Sequence, residues 1–172
     1  MDNDKKIFDD VIKVHLIGIG GIGMSGIAEY LIKKNYTVSG SDMTLSPITK
    51  RLENLGVQIF SGHKEDNLPD DAELVIYTAA VKEDNEEFKK AERLNIKSVK
   101  RAVALGEIVN SKFVIAVSGT HGKTTTTAMI AKIFIDNKMD PTVFVGGNLD
   151  FLDGGSSRIG NGAMAIVEAD EY

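Results

Sequence analysis

Two glycine-rich segments carry the residue types that handle phosphate. The first, Gly18-Ile19-Gly20-Gly21-Ile22-Gly23, fits the pattern G-x-G-x-x-G. Glycine permits a tight turn and a close backbone approach by pyrophosphate, and a following helix N-terminus offers N–H groups and a favourable dipole. The segment follows an apolar run at 14–17 and opens a helix-like stretch, and Asp42 ends the next strand-like run. A carboxylate at that place can accept hydrogen bonds from ribose hydroxyls. These residues point to a ligand with ribose and diphosphate. NAD and a UDP-sugar both qualify, and the loop alone does not choose between them. A turn that only permits close strand–helix packing is the plainer alternative.

The second segment is Gly119-Thr120-His121-Gly122-Lys123-Thr124. Its Gly-Lys-Thr tail is the working end of a phosphate loop. Backbone N–H groups cradle phosphate, Lys123 neutralises charge on the β and γ groups, and the Thr124 hydroxyl can ligate Mg²⁺. The common pattern wants a further glycine where Val117 stands, so this is a shorter variant. Thr125, Thr126 and Thr127 carry it into the helix. A third element is Glu168, at the end of the apolar run 163–167. A carboxylate at a strand tip beside a phosphate loop is where a second Mg²⁺ ligand is needed. Asp170 and Glu171, just beyond, are expected to face solvent. Of the histidines, His15 lies within a strand as a packed or edge residue. His121 either touches phosphate or shapes its turn. His63, after a strand end, is a candidate to approach the first nucleotide.

The elements that must position these groups alternate. Strands are expected at 14–17, 37–41, 58–60, 74–77, 97–99, 113–117, 142–145 and 163–167. Helices are expected at 22–34, 47–55, 85–93, 103–110 and 123–137. Ile22, Ile27, Leu31 and Ile32 are the expected inward face of the first helix. Ser46 caps the second, Pro47 opens it and Gly56 stops it. The helix at 85–93 presents alternating charges to solvent. Such alternation gives an α/β fold with a mostly parallel sheet. One strand–loop–helix phosphate unit per domain implies two domains: a Rossmann-like domain at 1–108, then a phosphate-loop domain at 109–172.

Composition agrees. The 172 residues are 42% hydrophobic and 26% charged, as in ordinary soluble domains. The formal net charge of −5 speaks against a nucleic-acid partner. There is no Cys, which excludes disulfides and thiolate metal sites and fits a reducing compartment. The polar N-terminus is no signal peptide, and no apolar run nears the roughly 20 residues of a membrane helix. A cytoplasmic protein without a membrane partner is expected.

With both loops placed, the chain resembles the Mur ligase family of peptidoglycan synthesis. The resemblance is carried by Val14-His15-Leu16-Ile17-Gly18-Ile19-Gly20-Gly21-Ile22-Gly23-Met24-Ser25-Gly26, by Ser39-Gly40-Ser41-Asp42, by Gly119 through Thr127, and by Glu168-Ala169-Asp170-Glu171. It implies a first domain for the UDP part of a sugar substrate, a central domain for ATP and Mg²⁺, and a last domain that helps bind an amino acid. The reaction it implies is an acid–amino-acid ligation. ATP phosphorylates the lactyl carboxylate of UDP-N-acetylmuramate, and L-alanine attacks the acyl phosphate to form the amide. A related member attaches a recycled tripeptide to the same nucleotide sugar, and an NAD-binding module is the reading from another class.

Mapped by position, the resemblance gives Gly18, Gly20, Gly21, Gly23, Met24 and Ser25 to the diphosphate and Asp42 to the nucleoside, with His63 and Thr78, Ala79 and Ala80 as further contacts. ATP falls to Gly119, Thr120, His121, Gly122, Lys123, Thr124 and Thr125, with Lys123 catalytic and Thr124 and Glu168 on the metal. The chain stops at Tyr172, short of the family's full length. It is therefore expected to be an N-terminal fragment that binds nucleotide sugar but does not ligate. Lost sheet neighbours would leave the second domain with open edges and exposed apolar faces, partly disordered or inclined to self-associate.

Overall fold

The computed structural model describes residues 6–82 and 84–169. The chain divides into two compact units, one ending at Glu107 and the other beginning at Ile108. Both are α/β.

The first unit runs β1 (Lys13–Ile17), α1 (Ile22–Lys33), β2 (Thr37–Asp42), α2 (Pro47–Asn54), β3 (Gln58–Ser61), β4 (Leu74–Tyr77), α3 (Glu86–Arg93), β5 (Lys97–Lys100) and α4 (Arg101–Val109), the division falling within α4. The strands form a five-stranded sheet in the order β3-β2-β1-β4-β5, every pairing parallel. β1 is central, so its residues are covered on both faces and Val14 to Ile17 are all buried. Alternation sends His15 and Ile17 to the face that also carries Val75 and Ala91, and Leu16 to the other. Burying side chains of this size contributes about 1.5–3 kcal/mol each.

Helix ends follow local chemistry. Ser46 caps α2 in a reciprocal capping box with Thr49, and Gly56 ends it at φ 94°. Asn85 caps α3 by accepting from the Phe88 N–H at 3.0 Å. The inward face of α1 departs from expectation. Met24, Ile27, Ala28 and Leu31 are buried at i, i+3, i+4 and i+7, whereas Ile22 is 37% exposed and Ile32 half-buried. Helical phase, not side-chain size, sets the stripe, and small or flexible residues fill it where the helix lies close. The charged face expected on α3 also fails in part. Glu87 and Lys90 are buried; Lys90 Nζ donates to the Leu68 carbonyl at 2.8 Å and pairs with Asp70 at 2.6 Å. His15 lies at the sheet centre, not an edge.

The second unit contains β6 (Phe113–Val117), α5 (Lys123–Asp136), β7 (Thr142–Leu149), β8 (Gly155–Arg158) and β9 (Met164–Glu168). Its sheet has the order β6-β9-β7-β8, with β8 antiparallel to β7 and the other pairings parallel. β8 and the second half of β7 are absent from the sequence reading. Gly146-Gly147 and Gly154-Gly155-Ser156-Ser157 read as turns, and no alternation marks a strand there. The core gathers Ala131, Val143, Val145, Leu152 and Ile166. Phe113 is 73% exposed on edge strand β6, and Met129 and Ile133 are exposed one turn apart on α5. Among the described residues no helix is long and apolar enough to cross a membrane. Asp170 and Glu171 lie outside the described residues.

The start of β1 is held by one carboxylate. Glu73 accepts the N–H groups of Ile12 at 2.6 Å and Lys13 at 2.9 Å, which hold it below the usual glutamate range, Ile12 contributing most. A carboxyl lowered in the folded state stabilises fully above its unfolded pKa, and that contribution is lost as pH falls through the folded value. Glu73→Gln should therefore lose less melting temperature than the parent between neutral pH and the acid side of the glutamate range. Parallel pH–melting curves for the two proteins would contradict this role.

Candidate functional site

In the first unit the glycine loop leaves β1 at Gly18, φ 84°. Its amides are mostly engaged. Gly18 and Ile19 donate to the Ser41 carbonyl at 2.8 and 3.0 Å, and Gly21 donates to the Gly18 carbonyl at 3.2 Å. Gly20 donates to Asp42 Oδ2 at 2.8 Å, while Asp42 Oδ1 accepts from Thr44 N–H at 3.1 Å. Asp42 thus fastens the loop to the end of β2. Gly20 is required by that contact, since a Cβ there would lie 2.8 Å from Asp42 Oδ2 and 3.1 Å from Thr49 Cγ2. At Gly23 the neighbour is the Arg101 guanidinium, whose Nη1 is 2.6 Å from where a Cβ would stand. Sequence reasoning missed this cation beside the start of α1, because nothing links Arg101 to the loop but the fold.

The loop borders a cleft of about 720 Å³. Gly18, Gly21, Asp42, His63, Thr78 and Ala80 line it, so the structure brings together six of the residues expected on the nucleotide sugar. Lys82, Asp84, Asn85 and Glu86 complete its far wall. Ala79 instead lines a neighbouring hollow with Tyr77 and Phe88. Met24 and Ser25 do not face the cleft: both are buried, both amides donate to the Gly21 carbonyl, and the Ser25 hydroxyl donates to Ile22 O at 2.8 Å. Their place in the loop serves the packing of α1.

Behind His63 lies a buried polar cluster. His63 Nδ1 is 2.8 Å from Glu87 Oε1 and 2.9 Å from Ser41 Oγ. The Ser41 hydroxyl donates to the same Glu87 oxygen at 2.7 Å. Glu87 Oε2 is 2.7 Å from His15 Nε2, and His15 Nδ1 is 2.8 Å from Ser39 Oγ. Glu87 was not read as functional. The signal was its position one turn before Ala91 on the apolar face of α3, which the run of charges obscures.

In the second unit the loop after β6 reaches α5 through Gly122, a left-handed residue at φ 76° that caps the helix without a side-chain bond. Lys123 Nζ folds back onto the Gly119 carbonyl at 2.8 Å. Thr124 Oγ1 lies 3.0 and 3.1 Å from the two oxygens of Glu168, and Gly146 N–H donates to Glu168 Oε2 at 2.6 Å. Glu168 therefore ties the phosphate-type loop to β7 and β9. Thr120, His121 and Thr125 are exposed along this loop. A hydroxyl and a carboxylate side by side are hard oxygen donors of the kind Mg²⁺ accepts. Among the described residues no group of three or more His, Cys, Asp or Glu could hold a metal. The pair fits an ion that keeps several waters and shares phosphate oxygens, as Mg²⁺ does, better than a fully protein-caged one.

The fold and both loops are those of a Mur ligase. The family model described as "Mur ligase family, catalytic domain" matches residues 13–113, and the chain belongs to that family. It is 54% identical over 160 residues to a UDP-N-acetylmuramate–L-alanine ligase of Acetivibrio thermocellus, covering 92% of this chain and 34% of that protein. A ligase of the same name from Clostridium kluyveri is 53% identical over 161 residues, 93% of this chain and 35% of its own length. The chain thus spans about a third of the curated relatives it matches. The crystal structure of the Thermotoga maritima UDP-N-acetylmuramate-alanine ligase superposes with a TM-score of 0.88 at 40% identity, over 92% of this chain and 37% of that one. The UDP-N-acetylmuramate:L-alanyl-gamma-D-glutamyl-meso-diaminopimelate ligase of Neisseria meningitides gives 0.86 at 28%, over 94% of this chain and 53% of that one.

The glycine loop's tolerance is testable. Gly20→Ala should cost about 2–4 kcal/mol of unfolding free energy, because it overpacks the contact and displaces the Asp42 hydrogen bond. At Gly21 a Cβ would meet only the Gly18 carbonyl, at 3.5 Å. Gly21→Ala should lose only capping preference, up to about 1 kcal/mol. Equal losses in chemical denaturation would contradict the contact.

Proposed function

We propose that the chain is the leading part of an ATP-dependent ligase that joins L-alanine to UDP-N-acetylmuramate in peptidoglycan synthesis, and that it works in the cytoplasm. The observation that carries this is 54% identity to an enzyme of that name along 92% of the chain. Among solved structures the identity is 40% to an alanine ligase and 28% to a tripeptide-type ligase, which favours the alanine reaction.

In this reading residues 1–108 form the nucleotide-sugar domain and 109–172 the start of the ATP domain. The cleft beside Gly18, Asp42, Thr78 and Ala80 takes the UDP moiety, with the α1 N-terminus and Arg101 favouring the diphosphate. Lys123 exchanges its bond to the Gly119 carbonyl for phosphate oxygens and stabilises the phosphoryl group passing to the lactyl carboxylate. L-Alanine then displaces phosphate from the acyl phosphate. Thr124 and Glu168 would hold Mg²⁺, which supplies charge neutralisation at the phosphates. Work of this kind is positioning and electrostatic stabilisation. The exposed Phe113 on edge strand β6 and the exposed Met129 and Ile133 on α5 support self-association of the second unit, which sedimentation would detect.

Calorimetry should show UDP-N-acetylmuramate binding to the chain at least about tenfold more tightly than NAD, a difference of roughly 1.4 kcal/mol. Tighter binding of NAD would overturn the ligand assignment. With ATP, Mg²⁺, UDP-N-acetylmuramate and L-alanine, ADP release should stay at the blank rate; turnover would show that these 172 residues suffice for ligation.

A further inference from the structure

We propose that Glu87 is a positioning residue for the nucleotide sugar: it holds His63 so that the second ring nitrogen faces the cleft as a donor to the diphosphate. This rests on the reading of the first unit as a UDP-sugar domain.

Glu87 is fully buried, and both of its oxygens are committed to histidine nitrogens. As a carboxylate Glu87 only accepts, and in that form His15 Nε2 and His63 Nδ1 each present a proton to it. His15 Nδ1 then accepts from the Ser39 hydroxyl, and His15 is fully engaged within the sheet. His63 differs. Its side chain is 20% exposed and it lines the cleft, whereas the side chains of His15 and Glu87 are 0% exposed. With Nδ1–H turned inward, Nε2 is the one ring atom the cluster leaves toward the ligand.

A carboxylate in this place does more than fasten α3 to the sheet. Ser41 and His15 already give it a partner on each oxygen. A third donor whose other end emerges in a binding cleft transmits the buried charge to that cleft. When a diphosphate arrives, it selects the form of His63 protonated on both nitrogens. The resulting imidazolium lies between two anions, Glu87 behind and the ligand in front, in a setting poorer in water than the surface. Among the described residues the other titratable groups on the cleft are Asp42, Asp84, Glu86 and Lys82. Histidine is the side-chain type whose ordinary titration falls between pH 5 and 8. Binding that takes up a proton weakens as pH rises.

The test is calorimetric titration of UDP-N-acetylmuramate into the chain between about pH 5.5 and 8.5, in buffers of different ionisation enthalpy. The wild type should lose about tenfold or more in affinity over that span and take up protons on binding. His63→Gln and Glu87→Gln should each weaken binding at the acid end by about 10–100-fold, the span of a charge-assisted hydrogen bond, and should abolish the pH slope. The double variant should be no worse than His63→Gln alone. A flat wild-type profile without proton uptake, or strictly additive losses, would overturn the proposal. If Glu87→Gln does not fold, imidazole nitrogen spectra of the wild type decide. His63 should carry its proton on Nδ1 in the free chain and gain one on Nε2 with ligand; an Nε2–H tautomer that the ligand leaves unmoved would refute the role. Absence of any binding heat would instead refute the UDP-sugar reading itself, which separates the two failures.

Discussion

In both units a carboxylate at the carboxyl end of a strand takes the backbone N–H of a glycine. Asp42 Oδ2 accepts from Gly20 at 2.8 Å, and Glu168 Oε2 accepts from Gly146 at 2.6 Å. In each case a Cβ on the glycine would come within 2.8 Å of the same oxygen. The contact can therefore exist only where the chain has no side chain. It sets how closely the first glycine loop lies against β2, and how closely β7 lies against the Thr124 end of the phosphate-type loop. A charge-assisted bond of this kind is shorter and stronger than a neutral one. It also fixes the carboxylate's direction at the strand ends, where ligands of open α/β sheets bind. The two loops differ in sequence, yet the constraint that shapes their surroundings is the same.

The polar cluster on the α3 side of the first sheet is the costlier feature. Burying Glu87 without partners would be heavily unfavourable, and replacing such networks with apolar residues is often neutral or stabilising. Here the sheet supplies donors in register: His15 stands directly opposite Ser39, and Ser41 lies two residues on, on the same face. Alternation along β1 and β2 therefore builds a polar stripe next to the apolar group of Ile17, Val75 and Ala91. Three strands or strand ends and one helix are joined through a single carboxylate. That arrangement resists a slip of register, because a one-residue shift would send every donor to the opposite face.

What the sequence revealed follows from how local each feature is. The two strand–loop–helix units are contiguous, and glycine, Pro47, Ser46 and Gly56 mark their boundaries through backbone rules that operate over a few residues. Strands β1 and β4 were legible for the same reason, being short apolar runs, and the more polar β2, β3 and β5 were placed by the turn and helix signals around them. Glu87 was not, because its partners stand 72, 46 and 24 residues away, and only the parallel crossover topology brings His15, Ser41 and His63 to it. β8 was hidden because Gly155-Ser156-Ser157-Arg158 shows no hydrophobic alternation, although its first three residues are buried. The misread face of α1 has a third cause: the stripe follows the helical phase of Ile27 and Leu31, which takes in Met24 and Ala28 and leaves Ile22 and Ile32 at its margins.

The glycine pattern of the first loop could not name its ligand, and the structure gives a physical reason. Four successive amides, from Gly18 to Gly21, are satisfied within the protein by Ser41, Asp42 and the loop itself. A phosphate bound through those amides would have to displace internal hydrogen bonds of comparable strength, with little net gain. The pattern is therefore chiefly a device for bringing α1 and β2 together. Discrimination between a dinucleotide and a nucleotide sugar must draw on the other groups around the cleft, and these come from other elements: His63 after β3, Thr78 and Ala80 after β4, and Lys82, Asp84, Asn85 and Glu86. None of these is adjacent to the loop in sequence. That is why likeness along nearly the whole chain, which samples all of those walls together, supports the proposed ligand, whereas the loop motif speaks only to the fold.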